Sequence, residues 1–254
     1  MPTAHLRVWR GENDGEYREY DVEYQDGMVI LDVVHLLQAT QTPDLAVRWN
    51  CKAGKCGSCS AEVNGKPRLM CMTRMQTFVP GETISIAPLK TFSLIRDLVT
   101  NLGHNYRVAR DKMPEFKPRA READGTYRMQ QFDIDRLQEF HKCIECFLCQ
   151  DVCHVIREHP ENLDNFIGPR FVVQLAQVGM HPLDTNSKES MAAPDFGLEY
   201  CNITKCCTDV CPEGIHITDN AIIPMKERVV DVRYDPIRAI GCMLFGKREK
   251  NPTK

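Results

Sequence analysis

Twelve of the 13 cysteines fall into three tight groups, at 51, 56, 59 and 71, at 143, 146, 149 and 153, and at 201, 206, 207 and 211, while Cys242 stands apart. Thiolates are ligands for soft metals, so grouping of this kind asks for a metal before anything else. The first group, Cys51-Lys-Ala-Gly-Lys-Cys56-Gly-Ser-Cys59 with Cys71 further on, has the C-x4-C-x2-C…C spacing of a plant-type [2Fe–2S] site. Two tetrahedral irons need two thiolates each, and a tight loop must bring its backbone N–H groups to the sulfurs. Gly54 and Gly57 permit that close approach. Zinc is the alternative metal, but structural zinc takes paired C-x2-4-C knuckles, which an x4 followed by an x2 in a glycine loop does not match well.

The second group, Cys143-Ile-Glu-Cys146-Phe-Leu-Cys149-Gln-Asp-Val-Cys153, is the C-x2-C-x2-C-x3-C run of bacterial ferredoxins, whose fourth cysteine serves the other cluster when two are present. Counting back from Cys211-Pro212, a full third run would need cysteines at 207, 204 and 201, and position 204 is Thr204. Crossing the fourth cysteines assigns Cys143, Cys146, Cys149 and Cys211 to a complete [4Fe–4S] site. It leaves Cys153, Cys201 and Cys207 to an incomplete one, expected to be [3Fe–4S]. Cys206 is one residue out of register and could swing in as a fourth ligand, but it is read, like Cys242, as a small buried thiol without metal.

Two kinds of scaffold must position these groups. Alternation in His5–Arg10 and Tyr17–Tyr24 predicts a hairpin around GENDG, helical spacing of Val33, Leu36 and Leu37 predicts one helix, and further short strands are expected at 62–64, 66–70 and 82–87. Beyond residue 132 the pattern turns helical. Ile134, Leu137 and His141 share a face, Pro169 opens a helix with Gly179 past its end, and Pro224 should kink or restart a helix beginning near Thr218. The expected architecture is α+β: a β-grasp plant-type ferredoxin domain over 1–104, a connecting segment over 105–132, and an all-α bacterial-ferredoxin-like two-cluster domain over 133–254.

Composition narrows the function. Among 254 residues, cysteine is about 5%, short of the ~8–10% of a disulfide-stapled secreted scaffold. The charged start MPTAHLRVWRGENDG has no secretory pattern, and no apolar run reaches the ~18 residues of a spanning helix. A net charge of −3 gives no basic footprint for nucleic acid. There is no nucleotide-binding glycine fingerprint and no nucleophile–base constellation. Three clusters without catalytic groups read as an electron wire.

In these motifs, NCKAGKCGSC with Cys71, KCIECFLCQDVC and CNITKCCTDVCPEGI, the chain resembles the iron–sulfur subunit of succinate dehydrogenase and fumarate reductase. The resemblance covers nearly the whole chain. It implies docking on an FAD-containing flavoprotein that carries the dicarboxylate chemistry, and on membrane anchor subunits of cytochrome b type. It implies electron transfer from that FAD through [2Fe–2S], [4Fe–4S] and [3Fe–4S] to a membrane quinone, in the tricarboxylic acid cycle and respiratory chain, or the reverse as quinol:fumarate reductase. It also implies a peripheral place on the cytoplasmic face of the bacterial inner membrane.

Where ubiquinone-reducing members carry proline, tryptophan, histidine and isoleucine beside the last cluster, this chain has His154, Glu158, Asn202 and Thr204. These four are the quinone-site candidates, and the difference tilts the expectation toward menaquinone and the bacterial branch. His159 is a further histidine that could border a quinone, and the basic ending GKREKNPTK could lie against anionic headgroups or simply be solvated.

Overall fold

The computed structural model describes residues 1–236 and 240. Strands β1 (Thr3–Arg10), β2 (Glu16–Glu23), β3 (Ser60–Val63), β4 (Lys66–Leu69) and β5 (Thr83–Ala87) form one mixed sheet in the order β2-β1-β5-β3-β4. β1 runs antiparallel to β2 and parallel to β5, with Leu6 opposite Ile84 and Val8 opposite Ile86. The alternation seen in the sequence is the burial pattern: Ala4, Leu6 and Val8 are inward, and their neighbours face out.

Helix α1 (Ile30–Thr40) lies against this sheet and buries Ile30, Leu31, Val33, Val34 and Leu37. Full burial of such side chains contributes ~1.5–3 kcal/mol each, which holds the helix in place. Its first turn is closed by Asp32, whose carboxylate accepts the Val29 N–H at 3.2 Å. The segment between α1 and β3, freed from the sheet, carries Cys51, Cys56 and Cys59. A two-stranded ribbon, β6 (Leu94–Arg96) and β7 (Val99–Thr100), follows.

Between β6 and β7, Asp97 is buried and takes the backbone N–H groups of Gly11 and Ala46 at 2.7 and 2.8 Å and Arg10 Nε at 3.2 Å. These bonds pin the ribbon to the end of β1 and to the stretch leading into the Cys51 loop.

From residue 103 onward the described elements are helical: α2 (Gly103–Asp111), α3 (Gln131–Gln138), α4 (Leu148–Asp151), α5 (His154–Arg157), α6 (Pro169–Gly179), α7 (Lys188–Met191), α8 (Cys206–Asp209) and α9 (Ile223–Arg233), with short 3₁₀ turns between. α6 is the central helix, with Phe171, Val172, Val173, Leu175 and Ala176 buried. Gly168, its N-cap, has φ +81°, and a β-carbon there would meet Gln150 Oε1 at 1.9 Å.

Some expectations needed correction. The segment 105–132 is not wholly irregular, because α2 occupies its beginning and buries Asn105 and Val108. His141 is exposed, and the buried face of α3 continues instead to Phe140 in a 3₁₀ turn. Gly179 is the last residue of α6 rather than the one beyond it. Pro224 does restart a helix: a π-helical turn over Ile217–Ile222 ends there and α9 begins with Pro224 in its first turn, where the missing N–H costs nothing. No helix among the described residues is long and apolar enough to cross a membrane. Cys242 and the basic ending 246–254 lie outside the described residues.

Candidate iron–sulfur centres

The Cys51 loop wraps its own sulfurs with backbone donors. Ala53 N–H and Lys55 N–H donate to Cys51 Sγ at 3.4 and 3.3 Å, Cys51 N–H to Cys56 Sγ at 3.5 Å, and Cys71 N–H to Cys59 Sγ at 3.5 Å. Such donors stabilise thiolates and bound sulfide alike. Their effect is visible at Cys56: burial would raise its thiol, but hydrogen bonds involving Ser58 and Cys51 outweigh burial and bring it down to about 7. At Cys59 burial wins and pushes the thiol up to about 12. Cys51 is exposed while Cys59 and Cys71 are buried, so the loop presents one edge to solvent.

The second site is an enclosed cavity whose walls include Cys143, Cys146, Cys149 and Cys211. Three come from one run and the fourth from the other. Ile215 N–H donates to Cys211 Sγ at 3.4 Å. Burial pushes Cys146 up to about 12 and raises Cys149 well above the usual thiol value. Holding thiolates here therefore requires compensating positive charge or a bound metal.

Cys153 and Cys207, both buried, each feel the charge of Cys201 and Cys206, which places these four thiols in one neighbourhood. Burial raises Cys153 to about 12 and Cys207 to about 11. Cys207 Sγ lies 3.5 Å from Thr218 Oγ1. Thr204, His154 and Cys206 form a triangle beside it: Thr204 Oγ1 is 3.3 Å from His154 Nδ1 and 3.5 Å from Cys206 Sγ, and Cys206 Sγ is 3.9 Å from His154 Nδ1. His154 Nε2 is buried without a partner. Two of the four quinone-site candidates, His154 and Thr204, thus touch. Glu158 instead faces Arg157 at 3.9 Å, and Asn202 is exposed. His159 pairs with Glu161 at 3.1 Å.

The two cysteine runs share a backbone as well as a spacing. A 3₁₀ turn precedes each (Phe140–Lys142 and Leu198–Tyr200), a four-residue helix sits inside each (α4 and α8), and both features are displaced by 58 residues, as 140 is from 198. Left-handed residues match too, Glu145 with Ile203 (φ 56° and 63°) and Phe147 with Lys205 (φ 60° and 64°). Ile203 is β-branched, for which this conformation is a genuine strain. The loop around Thr204 is therefore shaped like the loop around Cys146, and Thr204 stands where Cys146 does.

The first and second sites abut. A β-carbon on Gly57 would fall 2.5 Å from Cys146 Cα, Ser60 Oγ donates to Cys146 O at 2.9 Å, and Lys55 Nζ meets Glu213 Oε1 at 3.2 Å. Deeper in the same junction Arg157 reaches from α5 to Glu62 of β3 at 2.5 Å and to Asp151 Oδ2 at 3.3 Å, and Asp151 accepts Thr91 N–H at 3.0 Å. Sequence reasoning did not find this triad; its members are far apart in the chain, and no local pattern pairs them.

The donors fit multinuclear clusters better than single ions. Among the described residues no three His, Cys, Asp or Glu side chains lie close enough to hold one metal ion. A tetrahedral zinc would draw four thiolates to ~2.3 Å from one point, whereas a cluster takes its thiolates from cysteines around it and its sulfides take backbone N–H donors such as those of the Cys51 loop.

Comparison with known proteins agrees in both halves. A 2Fe-2S iron-sulfur cluster binding domain family matches residues 5–107, and a 4Fe-4S dicluster domain family matches 139–215. The fumarate reductase iron-sulfur subunit of Escherichia coli is 30% identical over 199 residues, 77% of this chain and 79% of that one. That of Mycobacterium tuberculosis is 29% identical over 213 residues, 80% and 82% of the two chains. A chain in the structure of the Mycobacterium smegmatis Sdh1 complex in the apo form is 64% identical with a TM-score of 0.89, covering 93% of this chain and 99% of that one.

Proposed function

The chain belongs to the iron–sulfur subunits of the succinate dehydrogenase and fumarate reductase family, an electron-transfer subunit of an oxidoreductase complex, and on that premise we propose which residues hold each cluster and which way the wire points. Cys51, Cys56, Cys59 and Cys71 hold [2Fe–2S]. Cys143, Cys146, Cys149 and Cys211 hold [4Fe–4S]. Cys153, Cys201 and Cys207 hold [3Fe–4S]. The observation that carries this reading is the cavity walled by three cysteines of one run and one of the other, the crossing expected of a two-cluster ferredoxin unit. The sheet gripping α1 is the β-grasp half, and the helices beyond residue 133 are the all-α half.

Bound in these loops, the clusters supply one-electron carriers of graded potential. The chain's own residues do the rest. Backbone N–H groups of the Cys51 loop stabilise negative sulfur. Gly57 and Ser60 bring the first loop against the second. Thr204 withholds the fourth thiolate at the third site. The exposed Cys51 edge faces an FAD-containing flavoprotein partner, and the Cys201–Cys207 end, with His154 and Thr204, faces a membrane anchor and a quinone of the menaquinone class. The complex sits peripherally on the cytoplasmic face of the bacterial inner membrane and works as succinate:quinone oxidoreductase in the tricarboxylic acid cycle, or in reverse as a fumarate reductase.

Iron and sulfide counting with EPR on the anaerobically purified complex tests the assignment. The expected outcome is three distinct cluster signals and about nine irons per chain; a colourless, zinc-loaded chain overturns it. Quinone assays with both quinone classes test the last step, where a strong preference for ubiquinone would remove the menaquinone reading.

A further inference from the structure

The cavity walled by Cys143, Cys146, Cys149 and Cys211 has one cationic wall residue among those described, Arg170, in the first turn of α6. Its residue is 8% exposed. Its outer end is engaged, since Nη2 donates to Glu145 Oε1 at 2.6 Å, in the turn between Cys143 and Cys146. Its Nε–H is buried and has no hydrogen-bond partner among the protein atoms. A buried guanidinium donor without a partner is costly unless something else accepts from it. Besides the cysteines and Arg170 the wall is apolar, as at Ile144, Phe147, Val173 and Ile217, except for Glu213, whose carboxylate pairs with Lys55 Nζ at 3.2 Å.

We propose that Arg170 is a potential-setting residue of the second site: its Nε–H donates to a sulfur of the cluster held there, and its charge favours the reduced form. The proposal rests on the assignment of that cavity to [4Fe–4S] in the preceding subsection. Its physical basis is that reduction adds one negative charge to the cluster. A cation and a hydrogen-bond donor at the sulfurs stabilise the reduced state more than the oxidised one, and hydrogen bonds to sulfur are one of the levers that set such potentials. Glu145 plays the opposite part, because its carboxylate offsets the same charge from the other end of the guanidinium.

EPR-monitored redox titration of the intact complex provides the test. Arg170→Gln removes the charge and the Nε–H, and should lower the constant for one-electron reduction of the [4Fe–4S] site about tenfold, ~59 mV to more negative potential, with the [2Fe–2S] midpoint unchanged. Glu145→Gln should move the same midpoint in the opposite direction, since it leaves the guanidinium uncompensated. A residue that merely braces the loop would give no midpoint shift, or shifts of one sign in both variants, and either result overturns the proposal. Arg170→Lys keeps the cation and should give a smaller downward shift; it serves where Arg170→Gln assembles no cluster. Loss of the cluster in both Arg170 variants overturns tuning in favour of assembly. Absence of any [4Fe–4S] signal in the unmodified complex would instead defeat the underlying ligand assignment.

Discussion

Gly57 and Cys146 are in backbone contact: a β-carbon at position 57 would lie 2.5 Å from Cys146 Cα and 2.9 Å from its Cβ. The contact joins the loops of the first and second metal sites, and it exists because residue 57 has no side chain and sits at φ +67°.

Gly57→Ala therefore meets two penalties. The left-handed backbone costs ~1–2 kcal/mol for an L-residue, and overpacking against backbone that cannot yield costs ~1–3 kcal/mol more. The expected outcome is a complex that melts earlier and passes electrons more slowly between the first two sites, read by rapid-freeze EPR. An unchanged inter-site rate would show that the close approach is not needed.

Arg157 holds two buried carboxylates from different halves of the chain, Glu62 and Asp151. Replacing it by methionine leaves both without their cation, a change that costs ~3–5 kcal/mol for a buried pair. Limited proteolysis should then cut the exposed connecting stretch, including Arg119 and Arg121, faster than in the parent. Adding Glu62→Gln to Arg157→Met should recover part of the loss, since it removes one of the stranded charges. No recovery would mean the triad acts through packing alone.

Asp97 carries the acid sensitivity of the first half. Burial alone would raise its carboxyl, but the N–H groups of Ala46 and Gly11 and the Arg10 guanidinium outweigh burial and hold it below the usual carboxylate range. A carboxyl depressed in the folded state contributes stability above its unfolded value of ~3.9, and that stability is lost as pH falls through the folded value. Stability should thus drop most steeply below about pH 4. Asp97→Asn should flatten that slope and cost ~1.5–3 kcal/mol at neutral pH, as for a lost charge-assisted hydrogen bond. Denaturant titrations across pH read both effects.

Thr204→Cys should raise the iron content from about nine to about ten per chain and abolish the [3Fe–4S] EPR signal, because it completes a four-thiolate run. Cys206→Ser should leave the count at about nine. A fall in iron or a lost signal with Cys206→Ser would make Cys206 a ligand and not the metal-free thiol read from the sequence.

The cysteine groups were legible because cluster ligation is written in local spacing, and so were β1, β2 and α1, whose apolar residues recur at the period of their element. What escaped detection depends on distant contacts. α2 has too few apolar residues for a clear period, and it forms around buried Asn105 and Val108. Arg170 reads as one more charged residue in a helix until the fold brings Glu145, 25 residues away, to one end of it and the second site to the other. The Arg157–Glu62 pair spans 95 residues, beyond the reach of any periodicity.

The matching left-handed residues at 145 and 203, and at 147 and 205, carry one more consequence. They give the two runs one backbone mould, strained Ile203 included, and within it Thr204 takes the place that Cys146 has in the other run. On the ligand assignment proposed above, the number of thiolates offered at the third site is set by that single side chain, while the rest of the loop keeps the form that holds a fourth thiolate in the first run.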